Sequence, residues 1–177
     1  MSIQTDIPGG LDYRIERAGE AAVIRSLHRT AFSRHDESAL VDELRDGGHF
    51  ILSLVADRGG EILGHVAFSR ITIKDVSAEV RASILAPIAV LPAHQHQGIG
   101  KTMIGAALAL LEADGEHIVF VLGEPGYYAR FGFSSVRAAE FMSDYAGPAF
   151  MARDLNVPAG RVDGGRLMVP LPFANFD

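Results

Sequence analysis

A chain of 177 residues with 48% hydrophobic content, a formal net charge of -6, no cysteine and only two lysines, Lys74 and Lys101, can bury a core without disulfides and carries no basic field for nucleic acid. No apolar run reaches the length of a membrane span, and the opening MSIQTDIPGGLD lacks the basic and apolar regions of a secretion signal. One cytoplasmic domain over residues 1–177, with no membrane or nucleic-acid partner, is the expectation.

In chain order, Leu11 to Arg17 alternates as LDYRIER and predicts an edge or near-edge strand. Gly19 to Phe32 reads as an amphipathic helix with Ile24, Leu27, His28 and Ala31 on one side. Ser33-Arg34-His35-Asp36 breaks it, with His35, Asp36 and Glu37 read as a polar loop and helix cap. A second helix follows from Glu37 to Arg45 and ends at Gly47-Gly48. Phe50 to Ala56 and Ile62 to Ile73 predict two strands joined at Arg58-Gly59-Gly60. On the second, strict alternation puts Leu63, His65, Ala67, Ser69 and Ile71 on one face and Ile62, Gly64, Val66 and Phe68 on the other.

Ile84 to Val90 and Ile118 to Leu122 are short β-branched runs that read as buried strands, the first closed by Pro92. Between them, from Ile99, Met103, Ile104, Ala107, Leu108 and Leu111 recur at helical spacing, so the three elements predict a parallel, right-handed βαβ unit. Pro87 cannot donate to a ladder and suggests a bulge in the first strand.

The start of this helix is chemically unusual. A helix N-terminus leaves its first N–H groups unpaired and carries partial positive charge, which Ser, Thr, Asp or Asn caps and early carboxylates normally answer. Here the turn is Gln95, His96, Gln97, Gly98, Ile99, Gly100 and Lys101, and no acidic residue stands between Val80 and Leu111. Gly98 and Gly100 remove side chains that would block a ligand from the backbone, and Lys101 adds a positive charge, so the turn is a candidate phosphate site.

Spacing separates three patterns. Gly100-Lys101-Thr102 would end a P-loop, but its first glycine position is Gln95. A dinucleotide fingerprint from Gly98 needs a third glycine where Met103 stands. What remains is Gln-x-x-Gly-x-Gly after a strand ending Ile-Ala-Val, and this resembles motif A of the GNAT superfamily of acyl-CoA N-acetyltransferases. Gly123-Glu-Pro-Gly-Tyr-Tyr-Ala-Arg-Phe-Gly-Phe133 is similar to the short helix and turn that close the acyl-CoA site in that family, and the paired tyrosines match its YhbS-like bacterial branch.

The resemblance implies an α/β (α+β) fold: a mixed, largely antiparallel sheet of six or seven strands with a splayed parallel pair and helices on both faces. It implies acetyl-CoA as cosubstrate and direct attack by an amine, with no acyl-cysteine available. Backbone amides from Gln97 to Lys101 would hold the pyrophosphate within a cofactor-binding turn that begins at Gln95 and His96, and the main chain of Ile88, Ala89 and Val90 would pair with the pantetheine arm. The Val90 amide would stabilise the oxyanion, and Tyr128, matched by its spacing to Gly132-Phe133, would protonate the thiolate. Tyr127 is assigned to packing beside Phe131, four residues on.

For the general base, Glu124, Glu79 and a water chain stay open. The acceptor is a small-molecule or protein amine, and a homodimer is left open. His94 and His96 alone make no metal site, and no metal is expected. Two other classes are weighed, a non-catalytic acyl-CoA-binding domain and a P-loop phosphotransferase. Beyond Phe133, Val136 to Tyr145 has no clear period, while Phe150 to Leu155 and Arg166 to Val169 read as short strands completing the sheet.

Overall fold

The computed structural model describes residues 2–3, 10–32, 36–76, 79–156, 162, 164–170 and 172. One sheet runs in the order β1 (Ser2–Ile3), β2 (Asp12–Ile15), β3 (Phe50–Arg58), β4 (Glu61–Lys74), β5 (Ala82–Val90), β6 (Ile118–Leu122) and β7 (Phe150–Asp154), and the short β8 (Arg166–Met168) pairs with the far end of β4. Every neighbouring pair is antiparallel except β5 and β6. The mixed sheet with one parallel pair is therefore as expected. β1 was not foreseen, because a two-residue strand carries no period. The connection at Ser33–His35, with its proposed cap, lies outside the described residues.

Helices cover both faces. On one side lies α3 (Ile99–Ala113), whose Ile99, Met103, Ile104, Ala107, Leu108 and Leu111 are buried against Leu54, Val66, Phe68 and Val119 of the sheet. At about 2 kcal/mol for each large buried side chain, this face contributes on the order of 10 kcal/mol before entropy is counted. The short α4 (Pro125–Tyr128) joins the same cluster. On the other side α1 (Ala21–Ala31) packs over β4 and β5 and contacts α2 (Asp36–Asp46). The short α5 (Ser135–Ala138) falls in the unperiodic stretch after Phe133, and a single turn is too brief to show one.

The strict alternation expected along β4 fails at one point. Ala56 pairs with Gly64 but Asp57 pairs with Ile62, so Leu63 is an extra residue against β3. Ile62 accordingly joins the α1 side with Val55, and Leu63 joins the α3 side. Gly64 also faces α3, where an added Cβ would stand 2.8 Å from Met103 Cε. From His65 onward the expected faces hold, and His65 points at α1.

There His65 meets His28, with His28 Nε2 2.8 Å from His65 Nδ1 and both residues 0% exposed. Burial pushes the His28 imidazole down to about 4 and His65 well below its usual 6.5, with the Arg45 charge adding to both. Because these folded values lie below the unfolded ones, their stabilisation is complete above pH 6.5 and is lost as pH falls toward 4. His28 alone should therefore cost about 2 kcal/mol between pH 7.5 and pH 5. Urea unfolding at the two pH values should show this loss, and identical midpoints would contradict neutral, buried rings.

Candidate functional site

The parallel ladder between β5 and β6 is short. It runs from Ala82 opposite Ile118 to Leu85 opposite Val121, and Ala86 to Val90 have no partner on β6 among the described residues. At the break, Val66 pairs with Ile88 and Phe68 with Leu85, so Ala86 and Pro87 together oppose Ala67. This is the bulge anticipated at Pro87, and the Ala86–Pro87 peptide is cis.

Beyond the bulge β5 keeps only β4 as neighbour, which fixes where its backbone groups point. The Leu91 N–H donates to Leu63 O at 2.9 Å, and Val90 pairs in register with Gly64. Backbone groups alternate along an antiparallel strand, so Ala89 turns toward β4 while Ile88 and Val90 turn N–H and C=O away from it. Of the three residues expected to present backbone, the register thus selects Ile88 and Val90 and withdraws Ala89.

Next to this edge the α3 N-terminus is open. Gly98, its N-cap, has φ 85° and makes no side-chain cap, and the first turn holds no acid. A Cβ at Gly98 would meet nothing within 4 Å. Thr102 N–H donates to Gly98 O, which leaves the N–H groups of Ile99, Gly100 and Lys101 without backbone partners among the described residues. The turn's glutamines are engaged internally: Gln95 Nε2 donates to Val90 O at 3.0 Å, and Gln97 Nε2 to Ala93 O at 3.2 Å. His96, exposed and at φ 60°, completes the turn. Side chains therefore shape this loop, and main-chain donors and the exposed Lys101 face outward.

α4 brings both tyrosines to the same place. Tyr128 is 8% exposed, its ring lies over Gly123 at the end of β6, and it meets Phe133 edge-on at 5.9 Å. Burial, with Tyr127 alongside, pushes its phenol up to about 12, so the hydroxyl is protonated at neutral pH. Tyr127 packs on Phe131 at 5.6 Å as expected. Its role is wider than packing, however. A Cβ on Gly100 would stand 3.1 Å from the Tyr127 hydroxyl and within 3.8 Å of Val90 and Ile88 side-chain carbons, so that hydroxyl reaches the junction of α3 and β5. Arg130 stacks 4.6 Å over the Tyr127 ring. Neither contact has a spacing signature in the sequence.

The two acidic candidates fare differently. Glu124 is the N-cap of α4, its Oε2 accepting from the Tyr127 N–H at 2.5 Å. Glu79 precedes the opposite end of β5, and the eight residue-to-residue steps from Ala82 to Val90 span about 26 Å. That separation removes Glu79 from the open end of β5 beside α3. The capping role predicts that Glu124→Ala loses about 1 kcal/mol in chemical denaturation; an unchanged stability would mean that this bond adds nothing to α4.

Residues 21–133 match the family model described as the acetyltransferase (GNAT) family. The chain is 36% identical over 123 residues to the uncharacterized N-acetyltransferase YjhQ of Escherichia coli strain K12, covering 68% of each. It is 35% identical over 121 residues to the uncharacterized N-acetyltransferase YhbS of the same strain, covering 68% of this chain and 71% of that one. Among solved structures it resembles E. coli YhbS in complex with CoA, with TM-score 0.87, 28% identity, and 98% and 97% of the two chains covered. A GNAT family acetyltransferase from Brucella melitensis in complex with acetyl-CoA gives TM-score 0.75 and 34% identity, over 93% of this chain and 99% of that one.

Proposed function

This chain belongs to the acetyltransferase (GNAT) family, and from that premise we propose that it moves the acetyl group of acetyl-CoA onto an amine in the cleft beside β5. The observation that carries the reading is the unpaired half of β5, which offers Ile88 and Val90 backbone groups next to an uncapped, acid-free helix start. A pantetheine arm supplies amide groups able to continue such an edge as a further strand. The pyrophosphate suits the free N–H groups of Ile99, Gly100 and Lys101, with the Lys101 side chain as a point charge. Gln95, His96 and Gln97 act by shaping that turn. The cosubstrate is acetyl-CoA, as the complexes of the similar structures suggest.

In this reading the Val90 N–H faces the carbonyl oxygen of the acetyl group and stabilises the charge that develops as the amine attacks. Tyr128 donates to the departing sulfur. Full transfer from a phenol at about 12 to a thiolate near 8.5 is uphill by about 5 kcal/mol. The hydroxyl therefore helps as a hydrogen bond to developing charge, contributing roughly 10- to 10³-fold. A small-molecule or protein amine is the acceptor class, and absent cysteine favours direct attack in a reducing, cytoplasmic setting.

Two experiments test this. Acetyl-CoA at a hundredfold excess over Kd should stabilise the protein by about 2.7 kcal/mol, whereas ATP with magnesium should not. Gly98→Glu should weaken acetyl-CoA at least tenfold by calorimetry, because its carboxylate occupies the helix end, and Gly98→Ala, which carries the positive-φ strain without the charge, should lose much less. Stabilisation by ATP alone would replace acetyl transfer with phosphoryl chemistry.

A panel of primary amines assayed for CoA release then separates the tyrosines. Tyr128→Phe should lower kcat with acetyl-CoA affinity near wild type, whereas Tyr127→Phe should shift affinity a few-fold and leave kcat alone. Wild-type turnover by Tyr128→Phe, with chemistry rate-limiting, would make that ring a core aromatic only.

A further inference from the structure

On the sheet face covered by α1 and α2, four side chains are joined in one line. Glu16 Oε2 accepts from Ser53 Oγ at 2.5 Å, Ser53 Oγ lies 2.9 Å from His65 Nε2, and His65 Nδ1 lies 2.8 Å from His28 Nε2. At the inner end, His28 Nδ1 is buried with no hydrogen-bond partner among the described residues. A buried polar atom left bare costs stability, so its presence calls for a reason.

The carboxylate gives the line a direction. Glu16, paired with Arg45 at 3.1 Å, can only accept, so the Ser53 hydroxyl donates to it. Ser53 Oγ must then receive the Nε2–H of His65, and a neutral His65 has its Nδ1 lone pair free to receive the Nε2–H of His28. Every donor points toward Glu16, and the tautomers follow from the network: His28 Nδ1 is a bare, basic lone pair. The charged groups facing the pair are Glu16 after β2, Arg45 and Asp42 of α2, and Arg25 of α1, which is bound to Asp42. Burial keeps both rings neutral at neutral pH, as a line of this kind requires.

The line runs beside β5: His65 is its middle member, and His28 at its inner end sits on α1, which packs over β4 and β5. His65 pairs in register with Ala89, the residue before Val90, and Ala89 shares a core cluster with Ile24 and Leu27 of the helix that carries His28. Acetylation of a protonated amine by a thioester releases one proton, since the ammonium loses two N–H bonds on becoming an amide and only one of those protons ends on the CoA sulfur. We propose that Glu16, Ser53, His65 and His28 form a one-way relay that takes this proton from the cleft to the protein surface, an inference that rests on the acetyl-transfer reading above.

In the step, the ammonium N–H breaks and its proton passes through one water to His28 Nδ1, the ring itself being out of solvent contact. The Nε2 proton of His28 moves to His65 Nδ1, the Nε2 proton of His65 to Ser53, and the Ser53 proton to Glu16. The freed nitrogen lone pair bonds to the acetyl carbon, the C–S bond breaks with its electrons on sulfur, and the nitrogen's second N–H proton passes to that sulfur, giving a neutral amide and the CoA thiol. Glu16, whose side chain is 14% exposed, returns the proton to solvent. These four are positioning and relay residues, and none of them is assigned a bond to acetyl-CoA.

The test uses the full chain. Histidine ¹⁵N spectra of the wild type should place the protons of both rings on Nε2, and a proton on His28 Nδ1 would overturn the relay. Ser53→Ala, which cuts the line, and Glu16→Gln, which removes the final acceptor, should each lower kcat about tenfold at pH 7 with the KM for acetyl-CoA unchanged. The deficit should shrink toward pH 9 as hydroxide replaces the relay. The rate is read with the best amine of the panel, or, if none reacts, as CoA release from acetyl-CoA into water. A loss equal at every pH, or no loss beyond a lower Tm, would mean that the line only fastens α1 to the sheet. Failure of acetyl-CoA to stabilise the wild type would instead sink the acetyl-transfer reading and leave the ¹⁵N result standing.

Discussion

The cleft depends on where one ladder stops. β5 and β6 pair as far as Leu85 and Val121, and the bulge at Ala86 and Pro87 ends that pairing while β4 continues to hold β5 from the other side. A strand edge inside a sheet is normally a liability, because its N–H and C=O groups must find partners. Here the edge is kept open by neighbours that cannot complete it: α3 begins at Gly98, and the α4 tyrosines pack across the gap rather than into the ladder. The same break therefore turns the Ile88 backbone and the Val90 N–H to the open edge, Val90 O being taken by Gln95 Nε2, and seats a helix N-terminus beside them.

That helix can leave its start unsatisfied because its stability comes from elsewhere. The apolar face from Ile99 to Leu111 contributes on the order of 10 kcal/mol, and a missing cap costs about 1. Local imperfection is cheap where packing is strong. The opposite face of the sheet uses a different device, a buried polar line whose direction is imposed by the single carboxylate of Glu16 at its outer end. The two devices meet at β5, with backbone on its free edge and His65 opposite Ala89.

The βαβ unit, the bulge at Pro87 and the free helix start were legible in the sequence because each rests on local chemistry: β-branched runs, helical spacing, a residue without an N–H, a turn without acids. The second tyrosine was only half legible. Spacing marked Tyr128 and placed Tyr127 beside Phe131, but the reach of the Tyr127 hydroxyl to Gly100 depends on how α4 sits against α3, which no local pattern encodes. The faces of Ile62 and Leu63 were misassigned because alternation assumes an unbroken ladder, and the extra residue at Leu63 shows only when β3 is laid beside β4. His28 was visible on the apolar side of its helix, yet its partner lies 37 positions away on β4. The side chains of Gln95 and Gln97 bond the Val90 and Ala93 carbonyls, contacts that no spacing in the sequence marks.

The register that turns the Ile88 and Val90 main chain outward leaves their side chains to pack against the α3 cluster. An edge offered this way is blind to residue type. Exchanges among similar apolar residues at these two positions answer to the core alone. One strand thus presents peptide groups on its free edge while its side chains belong to the core behind it.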